Sequence, residues 1–132
     1  MSAKSIAEKL LIKPHTVVWL SHAAHRARIE PLPEDVRIVD GMEQATIALV
    51  FADAAAAARE ILTAHQDHLS QPSVFWVAYP KANQTDINRD TLWPILAEYG
   101  MRPIGQVAVD TVWSALRFRP LKEDEAPFSA RQ

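Results

Sequence analysis

The feature that most narrows what this chain can fold into is an alternation: short apolar runs rich in β-branched and aromatic residues take turns with segments of helical period. Residues 16–20, 36–39, 46–52 and 73–79 are the first four apolar runs. Runs with little polar interruption suit strands buried on both faces of a sheet. Ahead of the first run, Ser5 and Glu8 have capping-box spacing, and Ile6, Leu10 and Leu11 supply one apolar side of a short helix. Residues 23–29 make a second short helix that Pro31 and Pro33 close. Asp53 is the expected N-cap of a helix through Leu69, with Ala54, Ala57, Ala58, Ile61, Leu62, His65 and Leu69 on one side. Residues 91–99 read as a helix with Asp90 or Thr91 as N-cap, Pro94 in its first turn and Gly100 as its stop. Strands separated by helices need right-handed crossovers, so the first four strands should be parallel, with helices on both faces. Residues 104–109 and 115–118 are too close for a crossover and should pair as an antiparallel hairpin through 110–114. The expected fold is α/β: an open, mostly parallel three-layer sheet that ends in an antiparallel hairpin.

The 132 residues suit a single α/β domain over 1–120, followed by a polar tail, 121–132, expected to fray. A formal charge of −2 gives no whole-molecule attraction to phosphate backbones or anionic membrane. Arg26, Arg28, Arg37, Arg117 and Arg119 are scattered among acidic residues, so neither nucleic acid nor membrane is an expected partner. The absence of cysteine excludes disulfides, thiolate catalysis and Cys-ligated metal sites. No apolar signal core and no span of about 18 apolar residues occurs, which makes the cytoplasm the expected location.

The order of elements, parallel strands closed by an antiparallel hairpin, resembles a shortened class I methyltransferase-like, Rossmann-like fold. Lys13-Pro14, Trp76-Val77-Ala78-Tyr79-Pro80-Lys81, Thr85-Asp86-Ile87 and the run from Val109 through Asp110, Trp113, Ser114 and Arg117 to Phe118 resemble a family of short bacterial proteins classed as a domain of unknown function. The likeness covers about residues 5–119, and its densest parts are the Tyr-Pro-Lys corner and the Asp-x-x-Trp-Ser-x-x-Arg hairpin. Members of that family often carry glycine where His15 stands, which makes the turn into the first strand less permissive here. The resemblance implies a fold and supplies no reaction.

Dinucleotide and S-adenosylmethionine sites on such a fold need glycines after the first strand, where backbone must approach the ligand. The corresponding residues here are Leu20-Ser21-His22-Ala23-Ala24-His25, without glycine, so no cofactor is expected. Asp40, at the end of the second strand, can bind ribose hydroxyls or simply form an Asp-Gly turn. His22 and His25, with Asp40 and Asp53, would lie near the C-terminal edge of the sheet, yet solvated caps explain them better than a metal. His65 shares an apolar stripe and should be packed. Lys81, Asn83, Thr85, Asp86 and Arg89 form the most suggestive group, since cations with amide and hydroxyl donors can hold a phosphate or carboxylate in a loop. Asp110, Trp113 and Arg117 fall on the hairpin turn and the strand leaving it; Asp110 can accept from nearby backbone or from Arg117, and Trp113 can cover the sheet edge or meet a partner. Neither Ser21 nor Ser114 lies in a Gly-x-Ser-x-Gly elbow.

These residues point first to a non-catalytic binding or regulatory module that meets a protein or a small anionic ligand through the loop after the fourth strand and the terminal hairpin. The alternative is a small-molecule enzyme acting on an anionic substrate at the C-terminal edge of the sheet, with Lys81 positioning the anion and Asp40, Asp53 or His22 supplying acid-base chemistry. The edge strand of the hairpin also offers backbone for a homodimer.

Overall fold

In the computed structural model, residues 5–81 and 86–121 are described. Among the described residues, four helices, α1 (Ile6–Lys9), α2 (Arg26–Ile29), α3 (Ala55–Ala64) and α4 (Arg89–Ala97), are interleaved with six strands. The strands are β1 (Val17–Leu20), β2 (Arg37–Val39), β3 (Ile47–Phe51), β4 (Val74–Pro80), β5 (Met101–Ala108) and β6 (Trp113–Pro120). They form one sheet in the order β2-β1-β3-β4-β6-β5. β1 is parallel to β2 and β3, and β3 to β4, whereas β6 runs antiparallel to both β4 and β5. The expected mostly parallel sheet with an antiparallel hairpin is the sheet observed.

Alternation along the central strands supplies two cores, one on each face. Ala48, Val50, Phe75, Val77, Leu116 and Phe118 project to the side packed by α3 and α4. Ile47, Leu49, Trp76, Ala78 and Ala115 project to the side that holds Ala7, Leu10 and Ile29 from α1 and α2. The Trp76 indole N–H donates to the Leu10 carbonyl at 2.9 Å in the buried interior, tying the end of α1 to the middle of β4. His65 is packed as expected, its ring 4.8 Å from that of Trp19.

Local chemistry explains where the elements start and stop, and it moves several expected boundaries. The Ser5/Glu8 capping box is present, but α1 is a single turn. Asp53 does not cap α3. Ala54 occupies the N-cap position, the Ala55 N–H is taken by Asp86 Oδ1 at 2.9 Å from 31 residues away, and the helix ends at Ala64 before a 3-10 turn, short of Leu69. Asn88, rather than Asp90 or Thr91, caps α4 by accepting from the Asp90 and Thr91 amides, so the helix starts earlier and Pro94 lies in its interior. Gly100 takes the left-handed φ of 77° that turns the chain into β5, where a side chain would be strained. β5 and β6 are both longer than expected because they pair with each other along most of their length. β5 is the outer strand, and Pro103 together with a register shift between Pro103 and Gly105 interrupts its edge.

Beyond Leu121, the expected fraying of the tail lies outside the described residues. Leu121 itself donates its N–H to the Gly100 carbonyl at 2.8 Å. Among the described residues no helix is long and apolar enough to cross a membrane.

Candidate functional site at the C-terminal edge of the sheet

The connection from β1 leads to β2 on one side, and that from β3 leads to β4 on the other. The switch point of this open sheet is therefore between the C-terminal ends of β1 and β3, where such folds form a crevice. Side chains of the chain itself occupy it. Ser21 prolongs the pairing of β1 with β3: its N–H donates to the Leu49 carbonyl, and its Oγ accepts the Phe51 N–H at 2.8 Å. His22 Nδ1 then takes the Ala24 N–H and starts a 3-10 turn that swings His25 back over the sheet. The His25 ring stacks on Phe51 with centroids 4.1 Å apart and an interplanar angle of 7°. Trp113, entering from the hairpin, meets both rings edge-on at 5.2 and 5.3 Å.

An ion pair locks this aromatic cluster. Arg28 Nη1 donates to Asp110 Oδ2 at 2.9 Å, Arg28 Nε donates to His25 Nδ1 at 3.0 Å, and the guanidinium lies 5.5 Å from the Trp113 ring centroid. Asp110 Oδ1 meanwhile accepts the Val112 and Trp113 amides. The backbone half of the expectation for Asp110 is thus present, but its cationic partner is Arg28. Arg117, seven residues further on, is paired in register with Trp76 and Gly105 and does not reach the turn.

Burial of the Asp110 carboxyl pushes its pKa up, yet the Trp113 and Val112 amides and Arg28 outweigh that and hold it below the ordinary value. Burial, then the positive charge of Arg28 and proximity to His22, lower the His25 imidazole below its usual 6.5, which Asp110 and Asp53 only partly offset. On acidification the unfolded chain therefore takes up this proton before the folded one. The contribution to stability is complete above pH 6.5 and is lost as pH falls from there through the folded value. In urea unfolding followed over that window, wild type should lose stability more steeply than His25→Gln. Parallel curves would mean that His25 is not the group responsible.

A second feature lies two strands away, on the side of the sheet that carries α4. Tyr79, Lys81, Gln106, Val107, Ala108 and Ser114 line a cavity of about 450 Å³. The antiparallel register makes it, because Tyr79, Ser114 and Ala108 are aligned across β4, β6 and β5. Gln106 Nε2 donates to the Tyr79 hydroxyl at 2.9 Å and to Ser114 Oγ at 3.2 Å, while Ser114 Oγ donates to the Val107 carbonyl. Each oxygen is spoken for as an acceptor from Gln106. Among the described residues, the proton of the buried Tyr79 hydroxyl has no acceptor, and Lys81, which lines the same cavity, forms no ion pair. The Lys81 backbone is fixed by its N–H, which donates to the Val112 carbonyl at 2.7 Å.

The residues singled out in the sequence are therefore distributed. Lys81 lines the cavity; Asp86 caps α3; Arg89, at the start of α4, lies 3.7 Å from Asp90. Asn83 and Thr85 lie outside the described residues. Asp40 sits at the end of β2, beside a separate hollow with Gly41, Glu43 and Gln44, and its carbonyl accepts the Trp19 indole N–H. His22 belongs to the crevice and does not line the Lys81 cavity. Among the described residues no three His, Asp or Glu side chains converge as metal ligands would. Sequence reasoning did not name Tyr79 or Gln106 as site residues, nor Arg28 and Phe51 as part of the crevice. For Tyr79 a signal existed, because residues 79 and 81 share one face of an extended strand.

No family model matches the chain, and no curated protein matches it, so the likeness to a domain-of-unknown-function family stays without support from those comparisons. Solved structures do match. A candidate tRNA methyltransferase of Streptococcus pneumoniae superposes with a TM-score of 0.56 at 9% identity, over 95% of this chain and 70% of that one. A Streptococcus agalactiae protein of the NAD-binding Rossmann superfamily gives 0.56 at 8% identity, over 98% of this chain and 71% of that one. The magnesium protoporphyrin IX methyltransferase of Synechocystis with bound S-adenosylmethionine gives 0.51 at 7% identity, over 87% and 74%. What is shared at such identities is architecture, and the architecture is a class I methyltransferase-like, Rossmann-like α/β fold.

Proposed function

We propose that this chain is a binding module on a methyltransferase-like fold and that it holds a small oxyanion, a phosphate or carboxylate group, between Lys81 and Tyr79. The observation that carries the reading is the accounting of protons in that cavity. Gln106 satisfies the Tyr79 oxygen as an acceptor, leaving a hydroxyl proton and, in the lining of the same cavity, the cation of Lys81, with nothing described to receive either. An oxyanion is the group that accepts from both, and charge-assisted donors are the stronger ones.

The residues at the switch point do not suit S-adenosylmethionine, which the Synechocystis neighbour binds. A cofactor there needs close backbone approach after β1. In this chain the stretch from Leu20 to His25 has no glycine, and His25 and Phe51 stack across the space. An acid-base role for Asp40, Asp53 or His22 gains nothing from the Lys81 cavity, because none of them lines it.

The test is a thermal-shift and calorimetric titration with inorganic phosphate and with small dicarboxylates. A ligand at one hundred times its dissociation constant should stabilise the chain by about 2.7 kcal/mol. Lys81→Met should abolish the shift, and Tyr79→Phe, which keeps the ring in the core, should weaken binding by about tenfold. Equal binding by wild type and Lys81→Met would overturn the proposal.

A further inference from the structure

The loops that lead into the parallel strands β1 and β2 enclose a cavity of about 540 Å³ at the N-terminal edge of the sheet, opposite the crevice and the Lys81 cavity. Leu11, Ile12 and Pro14 line it from one loop, and Pro31, Leu32 and Pro33 from the other. The size and the apolar lining are those of a small-molecule site. A clasp holds the two loops together: His15 Nδ1 lies 2.9 Å from Asp35 Oδ2, and the His15 N–H donates to the Glu34 carbonyl at 3.0 Å. Leu11 is the informative residue. It follows the end of α1 in a Schellman arrangement, its N–H donating to the Glu8 carbonyl and that of Ile12 to the Ala7 carbonyl. Its φ of 67° is the left-handed conformation that glycine takes without strain and other residues do not. Burial compensates only in part, because Leu11 remains 37% exposed. A leucine at a glycine position, with much of its surface in water, gives the fold little and the cavity an apolar wall.

The polar part of the lining is small and mostly engaged. Ser5 and Glu8 satisfy each other in the capping box, Ser5 Oγ accepting the Glu8 N–H and Glu8 Oε1 the Ser5 N–H. Pro14, Pro31 and Pro33 carry no N–H to offer a ligand. Lys13 also lines the cavity; its carbonyl is fixed by the Thr16 hydroxyl at 2.6 Å, and among the described residues its side chain forms no ion pair. One unpaired cation on an apolar cavity fits a ligand with one negative group and a hydrocarbon body. We propose that this cavity binds a medium-chain carboxylic acid, its chain against Leu11, Ile12 and the three prolines and its carboxylate at Lys13. It is a second site, separate in place and in chemistry from the oxyanion cavity at the other edge of the sheet.

The experiment titrates the full chain with butyrate, hexanoate, octanoate and 1-octanol, below micelle-forming concentrations, by calorimetry. Affinity should rise about fourfold with each added methylene until the cavity is filled. Octanoate should bind up to about fivefold more tightly than 1-octanol, the worth of an exposed ion pair, and Lys13→Met should erase that preference. Leu11→Gly separates site from scaffold: octanoate affinity should fall about tenfold, while the urea midpoint holds or rises because the left-handed strain is relieved. Lys81→Met is the control for a carboxylate seated in the other cavity and should leave octanoate binding unchanged. Affinity that ignores chain length overturns the proposal, as does affinity that survives both Leu11→Gly and Lys13→Met, or octanoate binding that Lys81→Met abolishes. A Leu11→Gly variant that loses stability and binds octanoate as wild type does would make Leu11 a packing residue and also overturn it. A concentration-dependent mass that Leu11→Gly abolishes would overturn it in favour of a second copy as occupant. Inorganic phosphate has no chain to bury and reads the Lys81 cavity, so this proposal and the oxyanion reading fail separately.

Discussion

Replacing Trp76 with alanine is expected to cost the fold about 3–5 kcal/mol, the range for removing a large aromatic from a close-packed interior. Trp76 is 3% exposed at the centre of β4, between β3 and β6, and its indole N–H holds the Leu10 carbonyl. That bond matters because α1 has a single turn and cannot persist without tertiary contacts. Trp76→Phe keeps much of the packing but leaves the Leu10 carbonyl unsatisfied, for a cost of about 1–3 kcal/mol. Urea unfolding with an unchanged m-value checks both numbers. A loss below about 1 kcal/mol for the alanine variant would mean that the site collapses without harm and that α1 is held by other contacts.

Asp110→Ala should be the next most damaging single change among those considered, at about 2–3 kcal/mol. One carboxylate serves three donors here: two amides shape the hairpin turn, and Arg28 carries the link to His25 and the crevice. The pair with Arg28 is about one-third exposed on each side, so screening reduces its share and most of the loss should come from the two amides. Asp110→Asn retains an acceptor for those amides and should recover most of the stability, while Arg28→Met should cost less than Asp110→Ala. If the asparagine variant is as unstable as the alanine one, the charge pair dominates and this apportionment is wrong. Coupling between positions 28 and 110 can be measured with a double-mutant cycle.

Sequence by itself determined the order and kind of the elements, because local rules govern them. Period and residue type marked β1, β3 and β4, the Ser5/Glu8 box marked the start of α1, and a short link between the last two strands forced them to be antiparallel. The missing glycine after β1 was likewise visible, and Lys81 was identified as a candidate as part of a group with Asn83, Thr85, Asp86 and Arg89 that follows a buried strand.

Only the tertiary structure decided what these residues do to one another. Asp86 caps a helix that begins 31 positions earlier, and Arg28 finds its carboxylate 82 positions later, so no local window contains both partners. Asp53 lost its expected cap because another carboxylate reached the Ala55 amide first. The Tyr79-Gln106-Ser114 network depends on strand register, which a one-residue slip would reverse and which turn residues alone did not specify. Local propensity is written in neighbouring residues and can be read from them. Partnership across the sheet is a property of distances that exist only once the chain has closed on itself.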